Sequence, residues 1–259
     1  MHARSALFDL YGDHLLARGG WAPISGAVGL LGSLDISAPA VRTAVSRMVR
    51  EGWLEPVEQA VRGYDVSERA RARLEEAHTR IYRTAELPWD GRWHLVTVER
   101  PADRHRRARV AQALGYLGYG QLAHDTWLAP RESPELAAAL ADVGVSHHGF
   151  DAGYQGDARA IAREVWDLEG LAAAYRRFTE TARSAGAPDH AEQAFATRSV
   201  LVHQWRLFLF SDPGLPPEAL PARWPGREAA ELFDVTARSL MPAASAWVDT
   251  WLAGGPGRP

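Results

Sequence analysis

The sequence predicts an α+β protein in three parts, and three patterns along its 259 residues carry that prediction. Residues 1–88 combine short helical patterns with two β-like runs. Residues 89–158 alternate in the order β-α-β-β-α-β, and residues 159–259 are dominated by long helical patterns. With 46% hydrophobic residues, the chain can bury a sizeable core.

The first part opens with three helices, each carrying apolar residues at helical spacing. Gly19-Gly20 ends the first helix, and Gly52 fits the position that closes the third. Ser37 fits the N-cap of the third helix, with Pro39 in its first turn. The three patterns cover Arg4–Ala17, Ile24–Gly32 and Ser37–Gly52.

Two short β-like runs and a fourth helix follow these three helices. The runs are Trp53–Val57 and Val61–Val66, and Ser67 then caps a helix that continues through Leu74 and Ile81. Three helices, a hairpin and a helix form the order of a winged helix-turn-helix, in which the third helix enters the major groove of DNA. We therefore expect residues 1–88 to form a DNA-binding domain.

The third helix has two chemically different faces. On a wheel of 100° per residue, Val41, Val45 and Met48 form one apolar stripe. Short hydroxyl side chains allow close approach to DNA, and arginines pair bidentately with guanine edges or phosphates. We expect the other face to contact double-stranded operator DNA. Its residues, the first of them at the boundary, are Arg42, Thr43, Ser46, Arg47 and Arg50.

The predicted hairpin carries a mixed charge. We expect its Arg62 to contact DNA, but the hairpin also contains Glu55 and Glu58. Phosphate contacts there should therefore be few, and the salt dependence they add should be modest. The net charge of the chain, −3, likewise favours a local basic patch over a polycationic surface.

Residues 89–158 follow the order of a ferredoxin-like unit, which in a regulator would supply dimer contacts. Small CRISPR-adaptation nucleases have the same fold, and Glu99 lies where such an enzyme needs a metal-binding acid. One acid without a partner does not hold a catalytic metal convincingly. The predicted elements are strands in Trp89–Pro101, Tyr119–Leu128 (one or two) and Val145–Phe150, and helices in Arg104–Leu117 and Pro134–Val143.

The last part, residues 159–259, is predicted to form a helical domain. Its helical patterns cover Glu164–Ala185, Ala191–Phe210 and Gly226–Leu252. The proline-rich stretch SDPGLPPEALPARWPG separates the last two, and the tail after Ala253 is expected to be disordered.

The residue types exclude several kinds of site. The chain has no cysteine, which rules out disulfides, thiolate metal sites and cysteine catalysis. It has no His-Glu-x-x-His motif, no Gly-x-Ser-x-Gly elbow and no phosphate-binding loop, and the adjacent His147 and His148 would point apart. We expect no metal and no catalytic residue. Without a secretory apolar region or a membrane-spanning run, the expected location is the cytoplasm.

Five blocks of the sequence occur in a distinctive order between about Arg4 and Leu252. They are RSALFDLYGDHL, ISAPAVRTAVSRMVREGWLE, WDGRWHLV, EVWDLEGLAAAYRRF and LVHQWRLFLFSDPGLPPEALPARWPG. In order and spacing they resemble the PaaX family of regulators, named for the repressor of bacterial phenylacetate-degradation operons. The last block is the most distinctive, because its aromatic, proline and acidic positions all fit together.

The resemblance implies a homodimeric transcriptional repressor without a cofactor. It also implies release from the operator by a coenzyme A thioester, phenylacetyl-CoA in the founding case. A DNA-binding activator or an effector-independent regulator is the alternative, and a metal-dependent nuclease or an acyl-CoA enzyme is a distant one. Two departures stand out: family members usually carry Glu where Gln204 stands, and their wings are usually more basic.

The region around the proline-rich bend combines arginine with aromatic residues, as an aryl-acyl-CoA would require. Arginine suits the phosphates, and aromatic side chains suit the aryl group. Aromatic residues at helical spacing are also the ordinary pattern of a packed core. We expect effector contacts from His203, Arg206, Trp224 and Arg227.

Overall fold

Helices and two antiparallel sheets build the protein. A computed structural model describes residues 1–59, 61–82 and 88–255. These residues divide into two compact units. The first draws on residues 1–84, 179–206 and 230–259, and the second on residues 85–178 and 207–229. The helical part predicted over residues 159–259 therefore contributes to both units. The predicted disordered tail falls mainly on residues 256–259, outside the described residues.

The N-terminal segment of the first unit follows the predicted order of elements. A π-helical turn at Tyr11–Leu15 and a 3₁₀ turn at Leu16–Arg18 extend the first helix up to Gly19, whose φ of +92° ends it. The elements are α1 (Ala3–Leu10), β1 (Trp21–Pro23), α2 (Ile24–Gly32), α3 (Ala38–Arg50), β2 (Leu54–Glu58), β3 (Arg62–Val66) and α4 (Glu68–Tyr82).

The predicted cap residues of α3 and α4 behave differently. At the end of α3 the N–H of Trp53 donates to the carbonyl of Met48 at 2.8 Å, and Gly52 adopts a φ of +73°, as in a Schellman motif. The Oγ of Ser67 accepts from the N–H of Ala70 at 3.2 Å and so caps α4. Ser37 occupies the N-cap position of α3 but makes no side-chain capping hydrogen bond.

A third strand, β1, joins the hairpin of β2 and β3. It pairs antiparallel with β3, with Ala22 opposite Tyr64, which gives the strand order β1-β3-β2. Three residues that include a proline show no period-two pattern, so the sequence does not reveal this strand. Leu54 and Val66 of the sheet enter the same core as α1, α2 and α3.

The second unit contains a four-stranded antiparallel sheet whose order, β5-β6-β4-β7, fits the predicted ferredoxin-like topology. Val96 of the sheet packs with Val110 and Leu140 of two helices that cover one face. The segment Tyr119–Leu128 forms two strands. The elements are β4 (Arg92–Val98), α5 (Arg104–Tyr116), β5 (Gly120–Ala123), β6 (Thr126–Ala129), α6 (Leu136–Val143) and β7 (His147–Gly153).

The remaining helices are α7 (Ala158–Val165), α8 (Leu168–Ser184), α9 (Ala191–Arg206) and α10 (Gly226–Leu252). The single helix predicted over Glu164–Ala185 is wrong, because Trp166 adopts an extended backbone and Asp167 accepts from the N–H of Gly170 to begin a new helix. The helix predicted to reach Phe210 ends at Arg206 and continues as a 3₁₀ turn. Among the described helices, none combines the length and apolarity needed to cross a bilayer.

Candidate nucleic-acid interface

The polar face of α3 lies at the surface of the first unit. We name its five exposed residues the arginine face: Arg42, Thr43, Ser46, Arg47 and Arg50. Within the described part of the chain, no ion pair or side-chain hydrogen bond engages the three arginines. Their N–H donors are therefore available to an external partner.

Apolar packing fixes the opposite side of α3. Val41 and Met48 are buried in a core that they share with Leu7 of α1 and Leu30 of α2. Buried side chains in a close-packed core occupy defined positions, so α3 is held on a rigid scaffold. An exposed polar face on a rigid helix is the arrangement that a binding site requires.

An ion pair and an aromatic contact flank the C-terminal end of α3. Arg4 of α1 pairs with Glu51, the acid that follows α3, at 2.5 Å. Phe8 packs edge-on against Trp53, with 4.6 Å between the ring centroids. Because Arg4 offsets the charge of Glu51, less negative charge borders the arginine face. The two residues are 47 positions apart, and no local pattern links them.

The hairpin of β2 and β3 offers little net positive charge. Arg62 is exposed, but it stands directly opposite Glu58 on the neighbouring strand, and Glu55 is exposed as well. Opposite charges across two strands attract each other. The two side chains form no ion pair among the described residues, but the charge of Glu58 lowers the positive potential that Arg62 presents to an external phosphate. The turn of the hairpin includes residue 60, which lies outside the described residues.

Two of the four predicted effector residues lie on α9 and contact α1. Nδ1 of His203 is 2.8 Å from Oδ2 of Asp9, and Nε of Arg206 is 2.7 Å from Oδ1 of the same carboxylate. We name Asp9, His203 and Arg206 the Asp9 site. A buried carboxylate is stable only beside such partners, so both residues support the fold, whatever else they bind.

A second ion pair connects α9 to the π-helical turn after α1. The guanidinium of Arg198, 1% exposed, donates to both carboxylate oxygens of Asp13 at 2.7 and 2.8 Å and to the carbonyl of Ala237 in α10. His14 is buried beside this pair, and burial is the main cause that lowers its pKa to about 4. Near neutral pH, His14 is therefore uncharged.

The other two predicted effector residues, Trp224 and Arg227, belong to the second unit. Arg227 is exposed near the start of α10. The ring of Trp224 meets Tyr175 edge-on at 6.0 Å, and Tyr175 stacks on Phe208 at 4.1 Å. The Tyr175 hydroxyl donates to Asp212, and burial raises the pKa of that carboxyl. Trp224 thus takes part in core packing, and its contact with an effector stays a prediction.

The residues considered for metal chemistry have other surroundings. The carboxylate of Glu99 accepts from Oγ of Ser146 at 2.8 Å, and His147 and His148 are neighbours on β7. In residues 1–59, 61–82 and 88–255, no group of three or more His, Cys, Asp or Glu side chains could hold a metal ion.

Known protein families match the chain in three consecutive segments. The family model for PaaX-like proteins matches residues 2–70, and that for the central Cas2-like domain of PaaX proteins matches residues 86–157. The model for the C-terminal domain of PaaX-like proteins matches residues 166–250.

Individual relatives extend over nearly the whole chain. The transcriptional repressor PaaX of Escherichia coli strain K12 is 31% identical over 260 residues, which cover 94% of this chain and 82% of the relative. The solved structure of an uncharacterized protein from Mycobacterium tuberculosis is similar with a TM-score of 0.67 and 26% identity, covering 95% of this chain and 98% of that one. Three matching segments and this extent of identity show that the chain belongs to the PaaX family.

Proposed function

We propose that the protein is a DNA-binding transcriptional repressor and that residues 1–88 act as a winged helix-turn-helix. The arginine face carries this proposal, because its arginines are exposed and make no ion pair within the described chain. The order of three helices followed by the hairpin of β2 and β3 supports it. The name of the Escherichia coli relative, a transcriptional repressor, also supports it.

The side chains of the arginine face suit the major groove of DNA. Arg47 stands opposite the buried stripe, where a guanidinium can pair with O6 and N7 of guanine. Thr43 and Ser46 are short enough to let the helix approach base edges closely. Arg42 and Arg50 extend the face on either side and suit phosphate oxygens. Arg62 of the hairpin adds a contact to the DNA backbone.

We further propose a homodimer in which the ferredoxin-like unit supplies the dimer contacts. Two copies of α3 would then meet two half-sites of an operator at a fixed spacing. The regulated genes would serve the catabolism of an aromatic acid of the phenylacetate type. The effector would be an aryl-acyl-CoA such as phenylacetyl-CoA, with contacts from His203, Arg206, Trp224 and Arg227. Family membership is the support for this part.

Fluorescence anisotropy on the protein's own upstream promoter DNA, with and without phenylacetyl-CoA, tests the proposal. Tight binding that the thioester reverses is the expected result. Tight binding that it does not reverse would keep the DNA-binding function and favour another acyl-CoA or an effector-independent regulator, with Gln204 the first residue to examine. No binding to that or neighbouring promoters would overturn the proposal.

A further inference from the structure

The Asp9 site has the composition of an anion-binding site that the protein itself fills. A guanidinium and an imidazole, those of Arg206 and His203, converge on the two oxygens of one carboxylate. Phosphate and carboxylate oxygens are recognised by the same nitrogen donors. Asp9 therefore occupies the position that an oxygen-bearing anion from solution would need.

The side chains of the Asp9 site differ in their access to solvent. Those of His203 and Arg206 are each 20% exposed, whereas that of Asp9 is 4% exposed. Parts of the His203 and Arg206 side chains therefore reach the surface, whereas Asp9 and the Nε of Arg206 that contacts it are buried. An anion from solution would meet the exposed parts of these two side chains before it met Asp9.

The contact between Arg206 and Asp9 is close but poorly aligned. Nε and Oδ1 are 2.7 Å apart, yet neither atom takes part in a hydrogen bond within the described chain. The Arg198 pair with Asp13 is different, because two aligned N–H groups bind both carboxylate oxygens. Alignment contributes much of the strength of an ion pair, so the Asp9 contact is the easier of the two to exchange.

Asp9 is also connected to the arginine face through the core. It lies on α1, and the neighbouring Leu7 and Leu10 share a core with Val41 and Met48 of α3. A carboxylate that loses its partners inside this core must regain water, because burying an unpaired charge is costly. Movement of α1 away from α9 would allow that and would shift α3, since packed elements move together.

We propose that a phosphate-bearing anion, such as the coenzyme A portion of an acyl-CoA, binds His203 and Arg206 by displacing Asp9, and that this displacement weakens DNA binding. The inference rests on the proposed function, because it assigns a route by which the effector acts. In this scheme Asp9 is a positioning residue: it holds α1 against α9 in the DNA-binding state and competes with the effector.

Two variants with opposite responses test the inference. Asp9→Asn removes the negative charge that competes with the anion. Arg206→Gln removes the guanidinium that would bind the anion. Both variants break the same internal ion pair. Phenylacetyl-CoA is titrated against each protein on promoter DNA by anisotropy, and coenzyme A against the free protein by calorimetry. Relative to wild type, the half-release concentration should fall about fivefold or more for Asp9→Asn and rise by about as much for Arg206→Gln.

Control variants separate this effect from general damage to the fold. Asp249→Asn breaks the ion pair that Asp249 makes with Arg18 at 2.7 Å in the same unit, and it should leave the half-release concentration unchanged. Circular dichroism and the thermal midpoint show whether each variant folds. His203→Gln replaces Arg206→Gln if the latter does not fold, with a shift expected in the same direction.

Each outcome supports or overturns the inference. Shifts of Asp9→Asn and Arg206→Gln in the same direction, or none, would overturn it, while release of the wild-type protein by the thioester would leave the proposed function standing. If the wild type bound no promoter DNA, the proposed function would fail. Calorimetry would then still decide whether the anion displaces Asp9: tighter coenzyme A binding by Asp9→Asn and loss by Arg206→Gln support this part of the inference, and no binding to the wild type overturns it.

Discussion

The arginines of α3 and those of α9 sit in contrasting surroundings within one unit. Arg47 is exposed and makes no ion pair among the described residues, whereas Arg198 is 1% exposed and binds both oxygens of Asp13. An exposed guanidinium keeps its water until a partner arrives, but a buried one is stable only with a carboxylate beside it. The same residue type is therefore available to an external partner on one helix and supports the fold on the other.

Removing the buried arginine should give the largest effect on stability. Arg198→Ala leaves the carboxylate of Asp13 buried without the guanidinium that neutralises most of its charge. We therefore expect a loss of about 3–5 kcal/mol of unfolding free energy. Urea denaturation followed by circular dichroism measures it. Asp249→Asn, which breaks a more exposed pair with Arg18, should cost less than about 1 kcal/mol. Equal losses in the two variants would remove the contrast between buried and exposed pairs.

His14 should make the same buried region sensitive to acid. Its folded pKa of about 4 lies below the ordinary value of 6.5, because burial opposes the charged form. The unfolded chain therefore takes up the proton first, and stability that is complete above pH 6.5 is lost as the pH falls towards 4. The loss should reach about 2–3 kcal/mol and should disappear in His14→Gln. Urea denaturation at pH 7 and pH 4.5 checks this, and an equal loss in both proteins would contradict it.

Removing the exposed arginine should affect binding and leave folding intact. Arg47→Ala should weaken binding to promoter DNA by about 1–3 kcal/mol, the range for one bidentate base contact. Its unfolding free energy should stay within about 0.5 kcal/mol of wild type, because the substitution removes only an exposed side chain that makes no ion pair. Anisotropy and urea denaturation measure the two quantities. Arg223→Ala, an exposed arginine of the second unit, is the control; if it weakened binding as much, the arginine face would not be the specific contact.

Local pattern predicts α3 well, and the reason is physical. Its two faces, its closing glycine and its length depend on residues within about one turn of each other, so periodicity and capping rules reach them. β1 has only three residues and gains its place from pairing with β3, about forty positions later. The break at Trp166 interrupts a continuous helical pattern, and only the capping aspartate that follows it signals a new start.

The candidate sites also differ in how far local sequence pattern predicts them. All five residues of the arginine face could be named from the sequence, since they share one helix, and the structure places all five at the surface. His203 and Arg206 could be named as a polar pair on one helix. Their contact with Asp9 joins residues 194 or more positions apart, which no spacing encodes. What a polar residue binds is thus harder to predict than where it lies.

The smallest predicted effect concerns Arg62 of the hairpin, which is exposed like the arginines of α3 but lies near a carboxylate like Arg198. Arg62 is exposed like Arg47, yet it faces a carboxylate, Glu58, directly across the strands. A free phosphate contact contributes about 0.9 to the slope of log K against log salt, so Arg62→Ala should lower the slope by less than that. Glu58→Gln should raise the affinity for DNA severalfold and bring the contribution of Arg62 to the slope close to about 0.9. Anisotropy measured at salt concentrations between about 50 and 200 mM gives the slope. If Arg62→Ala changed neither affinity nor slope, even beside Glu58→Gln, the hairpin would not touch DNA, and the arginine face alone would carry the contact.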